Sequence, residues 1–297
     1  MGGQRIAVIG VGAIGGAVAA DLADLGRHDV TLCARTHFDR LEVVHPRGTS
    51  VPEARVVTDP SAVAAVDWVL LATKAHQSLG ARPWLDALCD ERTTVAVLQN
   101  GADHVERVRP LVAPAVRVLA TVVRLPAEKT APGRVEQGRD GSLFVPDDAA
   151  GRTFAALFEG SRIEVAPRED FHAQVWWKLL SNSALGGICA LTLRPNGAVA
   201  EPGLRKLAIA LMREVVLVAR AEGAPLPDDA PEKVLERIVH GVPEHWSSIA
   251  VDRREERPME WRARNAIVCE RARHHGIDTP LNDAITALLE AADAVSA

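Results

Sequence analysis

Six residues near the amino terminus, Gly10-Val11-Gly12-Ala13-Ile14-Gly15, constrain the fold more than any other stretch. They read GxGxxG and follow residues 5–10, an apolar run rich in β-branched side chains that predicts a buried strand. Residues 13–25 then have helical character and stop at Gly26. In such a loop the first glycine permits a tight turn and the second lets a pyrophosphate approach the backbone. The third allows helix and strand to pack closely, and the helix N-terminus supplies partial positive charge. A glycine-rich turn without a ligand is the plain alternative, but the strand before and the helix after favour a dinucleotide fold.

The pattern continues with apolar runs at 29–34, 67–73, 94–98 and 116–122, separated by helix-length segments. Strands alternating with helices predict a parallel, doubly wound sheet. Residues 134–146 break the rhythm and read as a hairpin with glycines in its turn, closing the sheet's edge. After Pro167 the character changes, with helical spacing at 174–191, 204–222, 232–241, 247–256 and 261–275. Leu204, Leu207, Ala208, Leu211, Val215 and Val218 step along one face of the second of these helices. The expected class is α/β: an N-terminal Rossmann doubly wound sheet over 1–167 and a C-terminal all-α domain over 168–297, joined within 166–170. A chain of 297 residues is the size of two domains at roughly 150 residues each.

Composition excludes several functions. With 34 Lys and Arg against 39 Asp and Glu, the net charge of −5 gives no basic face for nucleic acid. No apolar run reaches the roughly 18 to 20 residues of a transmembrane helix, and the amino-terminal apolar stretch reads as strand and turn rather than signal peptide. Cys33, Cys89, Cys189 and Cys269 are far apart and lack metal-ligand spacing, so neither a disulfide frame nor a metal site is expected, and the cytoplasm is the expected compartment. The chain has no tyrosine. That removes redox mechanisms with a tyrosine proton donor, those of short-chain dehydrogenases and aldo-keto reductases among them.

Polar residues at strand ends suggest where chemistry sits. The second strand ends Cys33-Ala34-Arg35-Thr36, with no acid until Asp39 to take ribose hydroxyls. Arg35 is either a solvated surface side chain or the partner of a 2′-phosphate; the latter points to NADPH. Thr73-Lys74-Ala75 and Gln99-Asn100-Gly101 follow two further strands and would converge on one crevice. In the helical half, Lys178 and Asn182 stand four residues apart on one helix face within an apolar stretch. Lys178 is either a boundary lysine whose stem snorkels to water or, beside a carbonyl substrate, a general acid. The run 252–257 reads as a solvated charged face, and local pattern does not single out Glu260. His274, His275 and the tryptophans other than Trp68 read as surface or core.

Over nearly its whole length the chain resembles the ketopantoate reductases (2-dehydropantoate 2-reductases). The resemblance rests on IGVGAIGG (9–16), VTLCAR (30–35), TKAHQ (73–77), LQNG (98–101) and WWKLLSNSAL (176–185). It continues through RPNG (194–197), SSIAVDRREERPME (247–260) and GIDTPLN (276–282). It implies NADPH and a small 2-oxo acid in a cleft between a Rossmann and a helical domain. Gly10, Gly12, Ala13, Ile14 and Gly15 would hold the pyrophosphate, and Arg35 the 2′-phosphate. Lys74 and Gln77 would border the cofactor, with Asn100 near both nicotinamide and substrate. Lys178 matches the family's catalytic lysine, and Glu260 a carboxylate that orients the substrate hydroxyl or the lysine. Asn182, Asn196 and Ser248 match substrate-binding positions. The implied partner is a small molecule, with neither nucleic acid nor membrane, in a monomer or homodimer.

Two positions depart from the family: Gly186 stands where a second asparagine is usual, and Glu256 where a glycine precedes Arg-Pro. Gly186 removes a polar contact worth on the order of 1 to 3 kcal/mol if its partner is left unpaired. Three readings follow: reduction of ketopantoate, reduction of a different 2-oxo acid or imine by a paralogue, or an NADPH-binding sensor. Retention of Lys178, Asn100, Ser248 and Glu260 speaks against the sensor.

Overall fold

The apolar run RIAVI forms β1 (Arg5–Ile9), and the glycine loop leads into α1 (Ala13–Asp24). The computed structural model describes residues 2–241 and 243–294. It continues through β2 (Asp29–Cys33), β3 (Glu42–His45), β4 (Gly48–Ser50), β5 (Arg55–Val57) and β6 (Trp68–Leu71). Next come α2 (Arg82–Leu88), β7 (Thr94–Val97), α3 (His104–Val108), β8 (Arg117–Ala120), β9 (Val122–Arg124) and β10 (Ala127–Ala131). The first half closes with β11 (Arg134–Gln137), β12 (Ser142–Pro146), α4 (Ala149–Leu157) and β13 (Glu164–Arg168).

The main sheet has the order β5-β2-β1-β6-β7-β8, every pair parallel. Strand order therefore reverses beside β1, where doubly wound sheets bind their ligands. Side chains alternate across β1: Ile6 and Val8 enter one apolar core with α1 and α4, while Ala7 and Ile9 enter another with α2. Burial on both faces is why these strands read as continuous apolar runs. A Rossmann architecture is thus present as expected, although β5, three residues long, carries no legible strand pattern.

The expected hairpin over 134–146 is not formed. β11 pairs antiparallel with β10 and parallel with β3, whereas β12 pairs with β9 and β13 in a different sheet. The tight turn lies one step earlier, at Pro132-Gly133, where Ala131 faces Arg134 and Gly133 has φ +72°. Turn-like residues at 138–141 mark a crossing between sheets, a choice of partner that local pattern does not encode.

Two compact units divide between Phe171 and His172. The division lies beyond the expected Pro167 because β13 pairs through Arg168, opposite Pro146. The second unit is helical, as expected: α5 (Phe171–Thr192), α6 (Pro202–Ala221), α7 (Ala230–Val239), α8 (Ser248–Arg254), α9 (Ile267–His274) and α10 (Pro280–Ala294). α10 adds to the expected helices, with Ile285 and Leu289 buried. Its first turn is fixed by Glu214, whose carboxylate accepts from the backbone N–H groups of Leu281 and Asn282, both at 2.9 Å. On α6, Ala208, Leu211, Val215 and Val218 form the buried stripe their spacing requires. α5 is buried along its small-residue half; a Cβ on Gly187 would lie 2.7 Å from Ile285 Cγ2, so α10 approaches closer than a larger residue allows.

Candidate active site

In the first unit the loops after β1, β2, β6 and β7 leave the carboxyl ends of neighbouring parallel strands. Gly10 has φ +93°, and a Cβ there would lie 2.7 Å from the backbone nitrogen of Thr73. The first and third of these loops therefore touch backbone to backbone. A Cβ on Gly15 would fall 2.1 Å from the Gly10 carbonyl oxygen, so α1 packs against its own turn at a distance only glycine permits. Gly12 is different: nothing lies within 4 Å of where its Cβ would be. It is the N-cap of α1, with no side-chain cap and no acidic residue in the first turn. Ala13 and Ile14 are half-buried beside it. Backbone N–H groups at a helix N-terminus, with room above them, fit a dinucleotide pyrophosphate.

Arg35 is exposed just past β2, and no ion pair holds it among the described residues. Lys74 and Gln77 are half-buried at either end of a 3₁₀ turn after β6, where the Gln77 N–H donates to the Lys74 carbonyl at 2.9 Å. The side chain that organises this edge is Gln99, only 3% exposed. Its Nε2 donates to Thr73 Oγ1 at 2.9 Å, and its Oε1 accepts from Ser78 Oγ at 3.0 Å and Arg107 Nε at 3.2 Å. Arg107 also donates to the Asn100 carbonyl at 2.9 Å, which fixes the backbone of half-buried Asn100 before Gly101. Gln99 and Arg107 were not among the expected site residues; the sole local signal was Gln99 adjoining Asn100.

In the second unit Lys178 and Asn182 are both half-buried on α5, one turn apart, among fully buried Trp176, Leu179 and Leu180. Asn196 lies farther along. Its N–H donates to the His245 carbonyl at 2.8 Å, and its Oδ1 is 3.9 Å from Cys189 Sγ. Cys189 is about 16 Å along the helix from Lys178 at 1.5 Å per residue. Asn196 thus belongs to the other end of α5 from Lys178.

Glu260, which local pattern did not single out, is 4% exposed. Its segment is gripped from α10: Asp293 accepts from the Met259 N–H at 2.8 Å and from Trp261 Nε1 at 3.0 Å. The chain then makes a π turn over Arg262–Ala266, where the Trp261 carbonyl accepts from the N–H groups of Arg264, Asn265 and Ala266. The wider turn buries two successive polar side chains, Arg264 and Asn265. Asn265 donates to the Ser183 carbonyl on α5 at 2.9 Å. Arg264 donates to Ser248 Oγ at 2.7 Å. Burial pushes the Arg264 guanidinium below its usual range, against the opposing pull of Glu260 and Asp252. A Cβ on Gly186 would lie 3.1 Å from Arg264 Nη1 and 3.2 Å from Ile249 Cγ2. The face of α5 that carries Lys178 and Asn182 is therefore completed by Arg264, which was not expected and which no local sequence signal marks.

All four cysteines are free, and burial pushes Cys33 and Cys89 up to about 12 and Cys189 and Cys269 up to about 11. Among the described residues no cluster of three or more His, Cys, Asp or Glu side chains could hold a metal ion, and no helix is long and apolar enough to cross a membrane.

Residues 6–149 match the family described as ketopantoate reductase PanE/ApbA, and residues 170–293 match its C-terminal domain. A 2-dehydropantoate 2-reductase of Caulobacter vibrioides is 44% identical over 287 residues, 97% of this chain and 98% of its own. A PanE/ApbA family ketopantoate reductase from Ralstonia eutropha JMP134 superposes with a TM-score of 0.90 at 29% identity, covering 98% and 99% of the two chains. A dimeric ketopantoate reductase from Staphylococcus aureus gives 0.88 at 26% identity, covering 99% and 100%. Sheet order, glycine loop and helical second unit all agree with these matches, and the chain belongs to the ketopantoate reductase PanE/ApbA family, an oxidoreductase acting on a CH–OH group.

Proposed function

We propose that this enzyme reduces 2-dehydropantoate to pantoate with NADPH, and that Lys178 is its general acid. The observation that carries the reading is the polar stripe of α5, where Lys178 and Asn182 stand half-buried on a helix otherwise packed with apolar side chains. Gly10, Gly12, Ala13, Ile14 and Gly15 hold the dinucleotide pyrophosphate, and Arg35 takes the 2′-phosphate. Lys74 and Gln77 border the cofactor, and Asn100 serves nicotinamide and substrate. A reduced nicotinamide held there would supply the hydride for the 2-oxo carbon. Lys178, as ammonium, first stabilises the developing alkoxide and then transfers a proton to it. In a chain without tyrosine, lysine is the proton donor its α5 position offers. Glu260 orients the lysine or the nascent hydroxyl, while Asn182 and Ser248 hold the remaining polar groups of the substrate. The dimeric Staphylococcus aureus relative supports a homodimer, and four free thiols suit a cytoplasmic enzyme.

A second reading, a different 2-oxo acid as substrate, is favoured by Gly186 and the guanidinium beside it. The test is NADPH consumption against 2-dehydropantoate and a panel of 2-oxo acids, with Lys178→Ala alongside. The expected result is turnover of 2-dehydropantoate that falls by about 10²- to 10⁴-fold in the variant while NADPH affinity holds. Lysine-dependent turnover of another acid alone would establish the second reading. Turnover indifferent to Lys178→Ala would remove the lysine from the mechanism.

A further inference from the structure

The polar face of α5 steps from Lys178 to Asn182 to position 186, where the side chain is missing. The space is not empty: Arg264 reaches it from the π turn, with Nη1 3.1 Å from where a Gly186 Cβ would stand. Arg264 is 3% exposed, and its Nε is buried without a hydrogen-bond partner. A buried cation is costly unless its surroundings require it. Glu260 and Asp252 supply opposing charge, yet the directional bond goes to neither of them in preference to Ser248, whose Oγ accepts from Nη2 at 2.7 Å. A hydroxyl that accepts from a guanidinium has its own hydrogen left to donate, and it donates more strongly for being polarised. Ser248 is exposed at the first turn of α8, so that hydrogen is available to a ligand.

We propose that Arg264 determines specificity in this site: it fills the third place on the Lys178–Asn182 face and, through Ser248, positions and charges the contact to the substrate's carboxylate. The inference rests on the 2-oxo acid reading above. A guanidinium offers donors only, so the site it builds favours an anionic acceptor at C1 over a neutral one.

The experiment compares a 2-oxo acid with its neutral C1 amide as substrates for the full-length enzyme, in wild type, Arg264→Met, Arg264→Lys and Ser248→Ala. Arg264→Met is expected to raise KM for the acid roughly ten- to a hundredfold, with kcat changed by less than about threefold. The preference for acid over amide should fall by the same factor, Ser248→Ala should share the loss, and Arg264→Lys should restore part of it. An unchanged acid-to-amide preference in Arg264→Met would overturn the proposal, leaving Arg264 a packing residue. Melting temperatures of Gly186→Asn, Arg264→Ala and the double variant test the shared space independently of turnover. The asparagine should destabilise the parent and be tolerated once the guanidinium is gone; additive effects would overturn the filling of that space. A wild type inactive on every 2-oxo acid, with non-additive melting, would instead end the substrate reading and the carboxylate role with it.

Discussion

Gly12 and Gly186 both lie beside the proposed chemistry, and their surroundings are opposite. Around the missing Cβ of Gly12 there is open space within 4 Å, at the start of a helix whose N–H groups point outward. Around that of Gly186 stand Arg264 Nη1 at 3.1 Å and Ile249 Cγ2 at 3.2 Å. The first unit uses a glycine to leave open space at a helix start. The second uses one to admit a side chain of its own. A glycine at the start of a helix can thus keep space open, whereas one inside a helix can yield that space to a neighbour.

Substitutions can break or sharpen this contrast. Gly15→Ala drives a methyl into the Gly10 carbonyl and should cost about 2 to 3 kcal/mol, read as a lowered midpoint in chemical denaturation. Gly12→Ala should leave that midpoint within about 0.5 kcal/mol while weakening NADPH roughly tenfold in a fluorescence titration, the methyl standing where phosphate must approach. If Gly12→Ala unfolds the protein as Gly15→Ala does, the two glycines share a packing role and the contrast fails. Arg35→Ala should lower the preference for NADPH over NADH by about fivefold in KM ratio, as an exposed charge pair allows. The smallest effect concerns the inverse case, a residue with glycine's conformation and no glycine. Glu256 has φ +53°, a left-handed conformation that favours glycine, and Glu256→Gly should stabilise by about 1 kcal/mol in the same denaturation assay.

What could be read from the sequence was local or periodic. The glycine loop and five of the six parallel strands were legible, most clearly β1, β6 and β7, because burial on both faces writes these as apolar runs between glycines and turns. Lys178 with Asn182 was legible because helical spacing alone places them together. β5 was lost because three residues carry no period, and the 134–146 segment was misjudged because its partners lie in different sheets. Glu260 was indistinguishable from the charged run before it, since its burial is decided by Asp293, more than thirty residues away. Arg264 was hidden for the same reason. Its inward direction depends on a π turn, and a π turn has no recognisable repeat.

The grip of Asp293 on Met259 and Trp261 has a consequence for the order in which a newly made chain becomes competent. Domains generally fold as they emerge, amino-terminal first. The first unit, with its glycine loop and both layers of its sheet, draws on residues up to Phe171 and can close while the helical unit is still being synthesised. The segment bearing Glu260 cannot be pinned until α10 has left the ribosome nearly to its end, because its two fastenings come from residue 293. A growing chain therefore closes its dinucleotide fold before residue 293 is made, and the segment bearing Glu260 is pinned only after it.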